Sequence, residues 1–501
     1  METSTHPGGP LAAVDMGSNS FRLEIGQLPQ SRYRRIDYLK ETVRLGAGLD
    51  AEGMLGDEAA QRGLACLRHF SARLAGFQPG QVRAVATQTL REARNRNSFL
   101  LRAQEALGFP IEVISGREEA RLIYAGVAHL QPSDEARLVI DIGGRSTELI
   151  LGQGRTPLVA ESFAVGCVSL TLRYFRGGRI TEAAFREAQV AAGAELEEAL
   201  QPFARERWLL ALGSSGTAGA VSQLLQAAGI TDGRITPAGL RWCIERCLEA
   251  RQIDRIVLPG LKPGRNAVLP GGLALLYTLA THFGIEDLWP AKGALRQGVI
   301  VDLHERLLAQ HRGQAVDMRD ATVAELQRRY QVDLAQAQRV AAVALALFDS
   351  VVPDADPEMR RELAWSCLLH EMGLTVSHHD HHRHSAYLLA HVDAAGFSQS
   401  QQRRMAELVL GQRGGLRKIE PQLASETFAW QVLCLRLAVI KCHARGAADP
   451  KAMTLRARGR EAVLDYDAAW SEGHPRTLFL LREEVLAWSR SGPLRLLLGA
   501  G

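Results

Sequence analysis

Residues 139–152 read VIDIGGRSTELILG. A β-branched run ends on Asp141, passes two glycines, Arg145 and a Ser-Thr pair, and turns apolar again beyond Glu148. That is the pattern of a strand, a tight turn of small residues and a returning strand. The same form opens the chain at residues 13–26, AVDMGSNSFRLEIG. Both stretches share apolar-apolar-Asp-x-Gly-x-x-Ser, a weak internal repeat that predicts a duplicated α/β domain within residues 1–300.

The neighbouring segments extend this pattern. YRRIDYLKETVRLGAG (33–48) is strand-like, and the apolar residues from Asp57 to Phe77 recur at helical spacing. VRAVATQTLREA (82–93) and IEVISGREEARLIYAGVAHL (111–130) each read as a strand feeding a turn and a helix. In the latter the first helical turn is acidic, which favours a helix start. LLALGSSGTAGA (209–220) is a third strand, small-residue loop and helix. GRNAVLPGGLALLYTL (264–279) and AKGALRQGVI (291–300) read as helices closing the second domain. Beyond about residue 310 strand signals nearly vanish. The expected division is 1–133 and 134–310 for two α/β domains and 311–501 for a mainly helical half. A further split near 425 would set off a small β-containing end, MTLRARGREAVLDYD (453–467).

The chain has 501 residues, too many for one core, with 46% hydrophobic and 23% charged residues. A net charge of +4 does not indicate a nucleic-acid coat, though a local basic groove remains compatible with it. The best apolar run, VAAVALALF at 340–348, is short for a membrane span. METSTHPGGP (1–10) lacks the basic and apolar regions of a signal peptide, so a cytoplasmic location is expected. Seven scattered cysteines, an odd number without a CxxC, read as reduced thiols.

Loops of Gly, Ser and Thr at strand ends expose backbone N–H groups that bind phosphate oxygens, aided where a helix N-terminus points at the same spot. Three such loops, at 15–20, 141–148 and 213–217, would surround one polyphosphate group. The candidate phosphate-binding residues are Gly17, Ser18, Asn19, Ser20, Gly143, Gly144, Ser146, Gly213, Ser215, Gly216 and Thr217. An Asp at a strand end can hold Mg²⁺ directly or through water, which selects Asp15 and Asp141, with Glu148 beside them. Hydrolysis of a phosphoanhydride also needs a group to orient or deprotonate water. Glu119 and Glu148 are the candidates, one as base and the other helping to hold the metal. Arg91 would clamp a terminal phosphate bidentately.

The segments AAVDMGSNSFRLEI, TQTLREARN, ISGREEARLIYAGV, VIDIGGRSTELI, VGCVSLTLRYF, ALGSSGTAGA, LPGLKPGR, GALRQGV and HRHSAYLL occur in an order that resembles the exopolyphosphatase/guanosine pentaphosphate phosphohydrolase (Ppx/GppA) family, in its long bacterial form. The resemblance implies an actin-like ATPase fold of two ribonuclease-H-like α/β domains with the site in their cleft, followed by a helical half related to HD-domain phosphohydrolases. It implies a hydrolase of phosphoanhydrides: Mg²⁺-dependent release of orthophosphate from inorganic polyphosphate or from guanosine pentaphosphate. The general base then falls on Glu119, and a homodimer is expected. Arg22 and Arg265 would contact a guanosine penta- or tetraphosphate, while Gly166-Cys167-Val168 and the GSSGT loop look more like the exopolyphosphatase branch. A binding regulator without turnover is the reading from another class, which retention of Glu119, Asp141 and Glu148 disfavours.

Three departures from the family pattern stand out. Arg145 occupies the third position of a loop that usually reads Gly-Gly-Gly-Ser; it either points away from the cleft or adds a cation beside the phosphate. Gln297 stands where the family often has Glu. LVLGQRGGLRK (408–418) replaces a stretch richer in His, Arg and Lys, for which Arg403, Arg404, Arg413, Arg417 and Lys418 would compensate. The histidine-rich HHDHHRH at 378–384 reads as a structural or polyanion-contacting element in preference to a metal site, because the HD-type pair is replaced by His370-Glu371.

Overall fold

The computed structural model describes residues 9–312, 317–446 and 452–500. Residues 1–8, most of the stretch read for a signal peptide, lie outside them. The chain divides into two units, Met1–Val316 and Asp317–Gly501.

The first unit is built on two five-stranded sheets. One contains β1 (Leu11–Met16), β2 (Phe21–Gln27), β3 (Arg34–Glu41), β4 (Val82–Ala86) and β5 (Ile111–Val113) in the order β3-β2-β1-β4-β5. The other contains β6 (Ala136–Ile142), β7 (Thr147–Gln153), β8 (Thr156–Phe163), β9 (Leu210–Ser214) and β10 (Leu288–Pro290) in the order β10-β9-β6-β7-β8. Read from the same edge, the two orders are identical. In each, a three-strand antiparallel meander is extended by two parallel strands. Even the irregularities coincide: the register shifts at Ile25/Gly26 against β3 and at Leu151/Gly152 against β8. The repeat between Asp15 and Asp141 is therefore a duplication of whole sheets, as the actin-like expectation requires. Asp15 pairs with Arg22 across β1–β2, and Asp141 pairs with Glu148 across β6–β7. Both aspartates thus sit at the same strand end of their own sheet.

Two helices lie between the sheets, Gly116–Leu130 and Leu295–Arg312. Ser115 caps the first by accepting from Glu118 N–H at 3.1 Å. The helices cross in backbone contact, since a Cβ on Gly298 would lie 1.7 Å from the Leu122 carbonyl oxygen and one on Gly126 2.5 Å from that of Ala294. Leu122, Ile123 and Val127 from one, with Val299 and Ile300 from the other, share a core with Ala13, Val85, Val139, Ile150 and Leu212 from both sheets. The Leu295–Arg312 helix is thus not a cover for the second domain, as its sequence position suggests, but part of the layer common to both. It also runs through the expected boundary at residue 310. The same layer carries a buried ionic cluster. Asp302 accepts from Arg83 (2.7 Å), Arg121 (2.6 Å) and Arg306 (2.7 Å), and Arg121 also pairs with Glu118 at 2.7 Å.

In the second unit the helices Leu334–Val351, Pro357–Leu369, Gln399–Gly411, Glu426–Lys441 and Pro475–Ser491 pack with β11 (Met453–Arg458), β12 (Glu461–Tyr466) and β13 (Arg495–Ala500). One core joins Val340, Phe348, Leu433, Leu455, Leu464 and Trp488, so no boundary falls near residue 425. The Leu334–Val351 helix is long and apolar enough to cross a membrane by length and composition. Here Val340, Ala344, Leu347 and Phe348 are buried in that core. All seven cysteines are free and buried.

Candidate active site

The ends of β1, β6 and β9 converge on one polar cleft in the first unit. Its lining includes Asp15, Gly17, Ser18, Asn19 and Ser20 from the first loop; Asp141, Gly143, Gly144 and Ser146 from the second; and Ser215, Gly216 and Thr217 from the third. The loops are closed by their own backbone: Gly143 N–H donates to Ser146 O at 2.9 Å, and Gly46 N–H to Ser18 O at 2.7 Å. Ser215 and Thr217 hydroxyls both donate to Ile142 O, at 3.0 and 3.1 Å, which ties the third loop to the end of β6. Ser215 is in the left-handed region at φ 66°. A non-glycine residue held there is costly and marks a turn fixed by its surroundings. The helix Ser215–Ala227 starts at this turn, so its positive end faces the cleft.

Gly213 does not line the cleft. It sits within β9, where a Cβ would come 2.6 Å from that of Ala218; its role is close packing of strand on helix. Gly216 has the opposite role. A Cβ there would lie 2.0 Å from Nη2 of Arg265, so this glycine admits the Arg265 guanidinium to the cleft. Gly216→Ala should displace that flexible guanidinium and raise KM for an anionic substrate about tenfold, or ~1.4 kcal/mol. The unfolding midpoint should hold or rise slightly, since Ala is the better helix former. Steady-state kinetics with a thermal melt checks both.

Around the mouth stand Arg22, Arg265 and Arg296. Partial burial and the charges of Arg265, Arg22, Lys262 and Arg296 push Lys40 down to about 8, although the residue keeps an exposed face. Such crowding of like charge is relieved by a bound anion. Arg296 was not evident from sequence, since it lies mid-pattern in a helix with no phosphate signature. It donates to Asp15 at 3.4 Å and Glu24 at 3.1 Å. Gln297 beside it donates to both Glu24 oxygens at 2.7 Å and accepts from Ala294 N–H at 2.9 Å. A Glu at 297 would set two buried carboxylates against each other; Gln matches Glu24. Burial works to raise Glu24, but Tyr33, Arg296, Gln297 and Arg35 outweigh it and hold the carboxyl below its ordinary range.

Glu119 projects into the cleft from the first turn of the Gly116–Leu130 helix. Burial, opposed by Arg91 and reinforced by Asp141 and Asp15, pushes it up to about 7. Asp141 is raised by burial, and Glu148 well raised by burial and by the charges of Glu119 and Asp141. Glu148 is buried beside the cleft without lining it, accepting from Ser162 Oγ at 2.8 Å.

Arg91 departs from expectation, and Arg145 takes the first of its two expected courses. Arg91 does not face the cleft as a phosphate clamp. Its Nη1 donates to Glu119 at 2.8 Å and to Ile114 O at 3.0 Å, and its Nε and Nη2 donate to Gln88 at 2.9 and 2.6 Å. Arg91 thus holds Glu119 from the side of the Gln88–Glu92 helix. Arg145 does not contact the cleft either: it pairs with Glu92 at 2.7 Å. Its backbone lies outside the left-handed region, so the loop does not need glycine there. Thr87, Ile123, Ile142, Cys167, Ala294 and Leu295 also line the cleft; of these the sequence singles out Cys167, with Gly166 and Val168, for the resemblance alone.

In the second unit His370, Glu371, His378 and His381 line a separate cavity. Among the described residues no three His, Cys, Asp or Glu side chains gather as a ready cation site. His382 lies apart, lowered to about 4 by burial and by Lys418.

The chain belongs to the Ppx/GppA phosphatase family, which it matches over residues 30–307, with domain III of that family over residues 318–485. Among solved structures it is similar to an exopolyphosphatase-like protein (26% identity, TM-score 0.54, covering 61% of this chain and 100% of that one). It is similar also to an exopolyphosphatase from Cytophaga hutchinsonii (23%, 0.54, 60% and 98%) and to the Aquifex aeolicus Ppx/GppA family member (24%, 0.50, 60% and 98%). The latter two likenesses show the fold.

Proposed function

We propose that this phosphatase-family protein is an exopolyphosphatase, releasing orthophosphate from the end of inorganic polyphosphate. The observation that carries the reading is Glu119: a carboxylate raised toward neutrality, aimed by Arg91 into a cleft walled by three phosphate-type loops. A general base works best with a pKa near the working pH. In the reaction a water attacks the terminal phosphorus in line while Glu119 takes its proton. The bridging P–O bond breaks, and the shortened chain leaves with the negative charge. Arg22, Arg265 and Arg296 offset that charge, and the loop N–H groups hold the phosphoryl oxygens.

Asp15 and Asp141 line the cleft and Glu148 lies buried beside it, and their oxygens are the donor type that a hard divalent cation takes. Among the described residues no three of them gather as a ready cation site, so Mg²⁺ there would complete its shell with waters and substrate oxygens. When bound it would supply charge neutralisation on the phosphoryl group. The same cleft could accept guanosine pentaphosphate through its terminal phosphate. None of the lining residues is aromatic, so no stacking platform for a base favours that substrate. An HD-like helical half stays a proposal, because His370-Glu371 stands where such a domain carries His-Asp, and we assign it a scaffolding or polyanion-contacting role.

The test is orthophosphate release by the purified protein with Mg²⁺, on long-chain polyphosphate and guanosine pentaphosphate separately. Faster turnover of polyphosphate is expected; tight binding of both without release would favour the regulator. Because Glu119 must be unprotonated to act, kcat/KM should fall about tenfold per pH unit below a midpoint near 7. A profile flat from pH 5 to 8 would assign the base elsewhere.

A further inference from the structure

Arg145 sits in the loop between β6 and β7, yet its side chain reaches the other α/β domain. Its Nε donates to Glu92 Oε2 at 2.9 Å, and its Nη2 lies 2.7 Å from the same oxygen. Its Nη1 donates to the Gly46 carbonyl at 3.2 Å. Glu92 belongs to the short helix Gln88–Glu92 that carries Arg91. The second Glu92 oxygen accepts from Gln88 Nε2 at 2.6 Å, and Gln88 Oε1 accepts both Nε and Nη2 of Arg91. Arg91 Nη1 then donates to Glu119. A continuous chain of charge-assisted hydrogen bonds therefore runs Arg145–Glu92–Gln88–Arg91–Glu119. A second arm runs through Gly46, whose N–H donates to Ser18 O in the first phosphate loop. Gly46 is pressed so closely that a Cβ would lie 2.9 Å from Arg145 Cδ and 3.0 Å from Ser18 Cβ.

We propose that Arg145 is a positioning residue for the reaction: it clasps the second phosphate loop to the opposite domain and, through Glu92, Gln88 and Arg91, fixes the aim of Glu119. The inference rests on the hydrolase reading above. It answers how an Arg replaces a loop glycine without entering the phosphate site. A cation beside the substrate would act on binding. A clasp that aims the base acts on turnover, and errors of position on the order of 1 Å can cost about 10²-fold in rate.

The experiment is a double-mutant cycle, Arg145→Ala, Glu92→Ala and both together, read as kcat and KM on polyphosphate. Each single variant is expected to lose about tenfold in kcat with KM within about twofold. The double variant should lose no more than either, because both break one chain. Arg145→Lys, which restores a point charge to Glu92, should recover most of the loss. Losses that add, a loss carried by KM instead of kcat, or no change in either would each overturn the proposal. If the wild-type protein releases no orthophosphate at all, the hydrolase reading fails, and the clasp is then judged from the crystal structure of Arg145→Ala. Withdrawal of Arg91 from Glu119 there supports the clasp, and an undisturbed pair overturns it.

Discussion

Glu119→Gln is expected to lower orthophosphate release by about 10²–10⁴-fold, the range for loss of a general base. KM should change little. Gln is isosteric, and its carbonyl oxygen can still accept from Arg91 Nη1, which donates to Glu119 at 2.8 Å. The loop backbone and the arginines that meet the substrate are untouched. The same substitution should leave the protein as stable or more stable. Glu119 is buried near Asp15, Asp141 and Glu148, and its ionised form is disfavoured there. A neutral amide removes one charge from that cluster. The combination of dead turnover, retained binding and a held or raised melting temperature is the signature of a site that keeps a strained charge for function. Loss of activity accompanied by unfolding would instead assign Glu119 a structural role. Phosphate-release kinetics, substrate binding and a thermal melt on one preparation separate the two.

Asp302→Asn is expected to be the most destabilising of the substitutions discussed, by about 3–5 kcal/mol, the usual cost of breaking a buried ion pair. Asp302 is buried and accepts from Arg83, Arg121 and Arg306. Burial works to raise its carboxyl, but Arg306, Arg121 and Arg83 outweigh it and hold it well below the ordinary carboxylate range. A carboxylate depressed on folding contributes stability that is complete above its unfolded pKa, about 4. That contribution is lost as pH falls through the folded value. The gap between wild type and Asp302→Asn in urea unfolding should therefore be full at pH 7 and begin to close only below about pH 4. A gap that closes between pH 7 and 5 would contradict this account. Its members Glu118 and Arg121 lie on the Gly116–Leu130 helix, Glu118 one residue before Glu119, so the variant is also expected to lose activity as the helix loosens.

The duplicated sheets were legible because strand alternation and small-residue turns are local, and because the Asp-x-Gly-x-x-Ser form recurs at Asp15 and Asp141. The loops that line the cleft were legible for the same reason: phosphate binding by backbone needs Gly, Ser and Thr in the turn itself. What sequence could not supply was partnership across distance. Arg91 and Arg145 are both cations near phosphate loops in the chain, and only the fold reveals that Glu119 and Glu92 hold them. Arg296 reaches the cleft, and Lys40 the neighbourhood of its cations, from elements with no local signature. The Leu295–Arg312 helix reads as an ordinary helix at a domain end. Its Gly298, against Gly126 of the Gly116–Leu130 helix, places it in the layer shared by both sheets. The short strand β10 has too few residues for alternation to show, and β13 follows a long helix with little turn chemistry to announce it.

The central claim is that water, activated by Glu119, attacks the terminal phosphorus of a chain held in this cleft. The most direct measurement is hydrolysis of polyphosphate in ¹⁸O-labelled water, with the released orthophosphate and the residual chain analysed separately by mass spectrometry. The account predicts one labelled oxygen in each orthophosphate, an unlabelled residual chain shortened from its end, and neither product with Glu119→Gln. Label in the residual chain, internal cleavage products, or undiminished release by Glu119→Gln would contradict it.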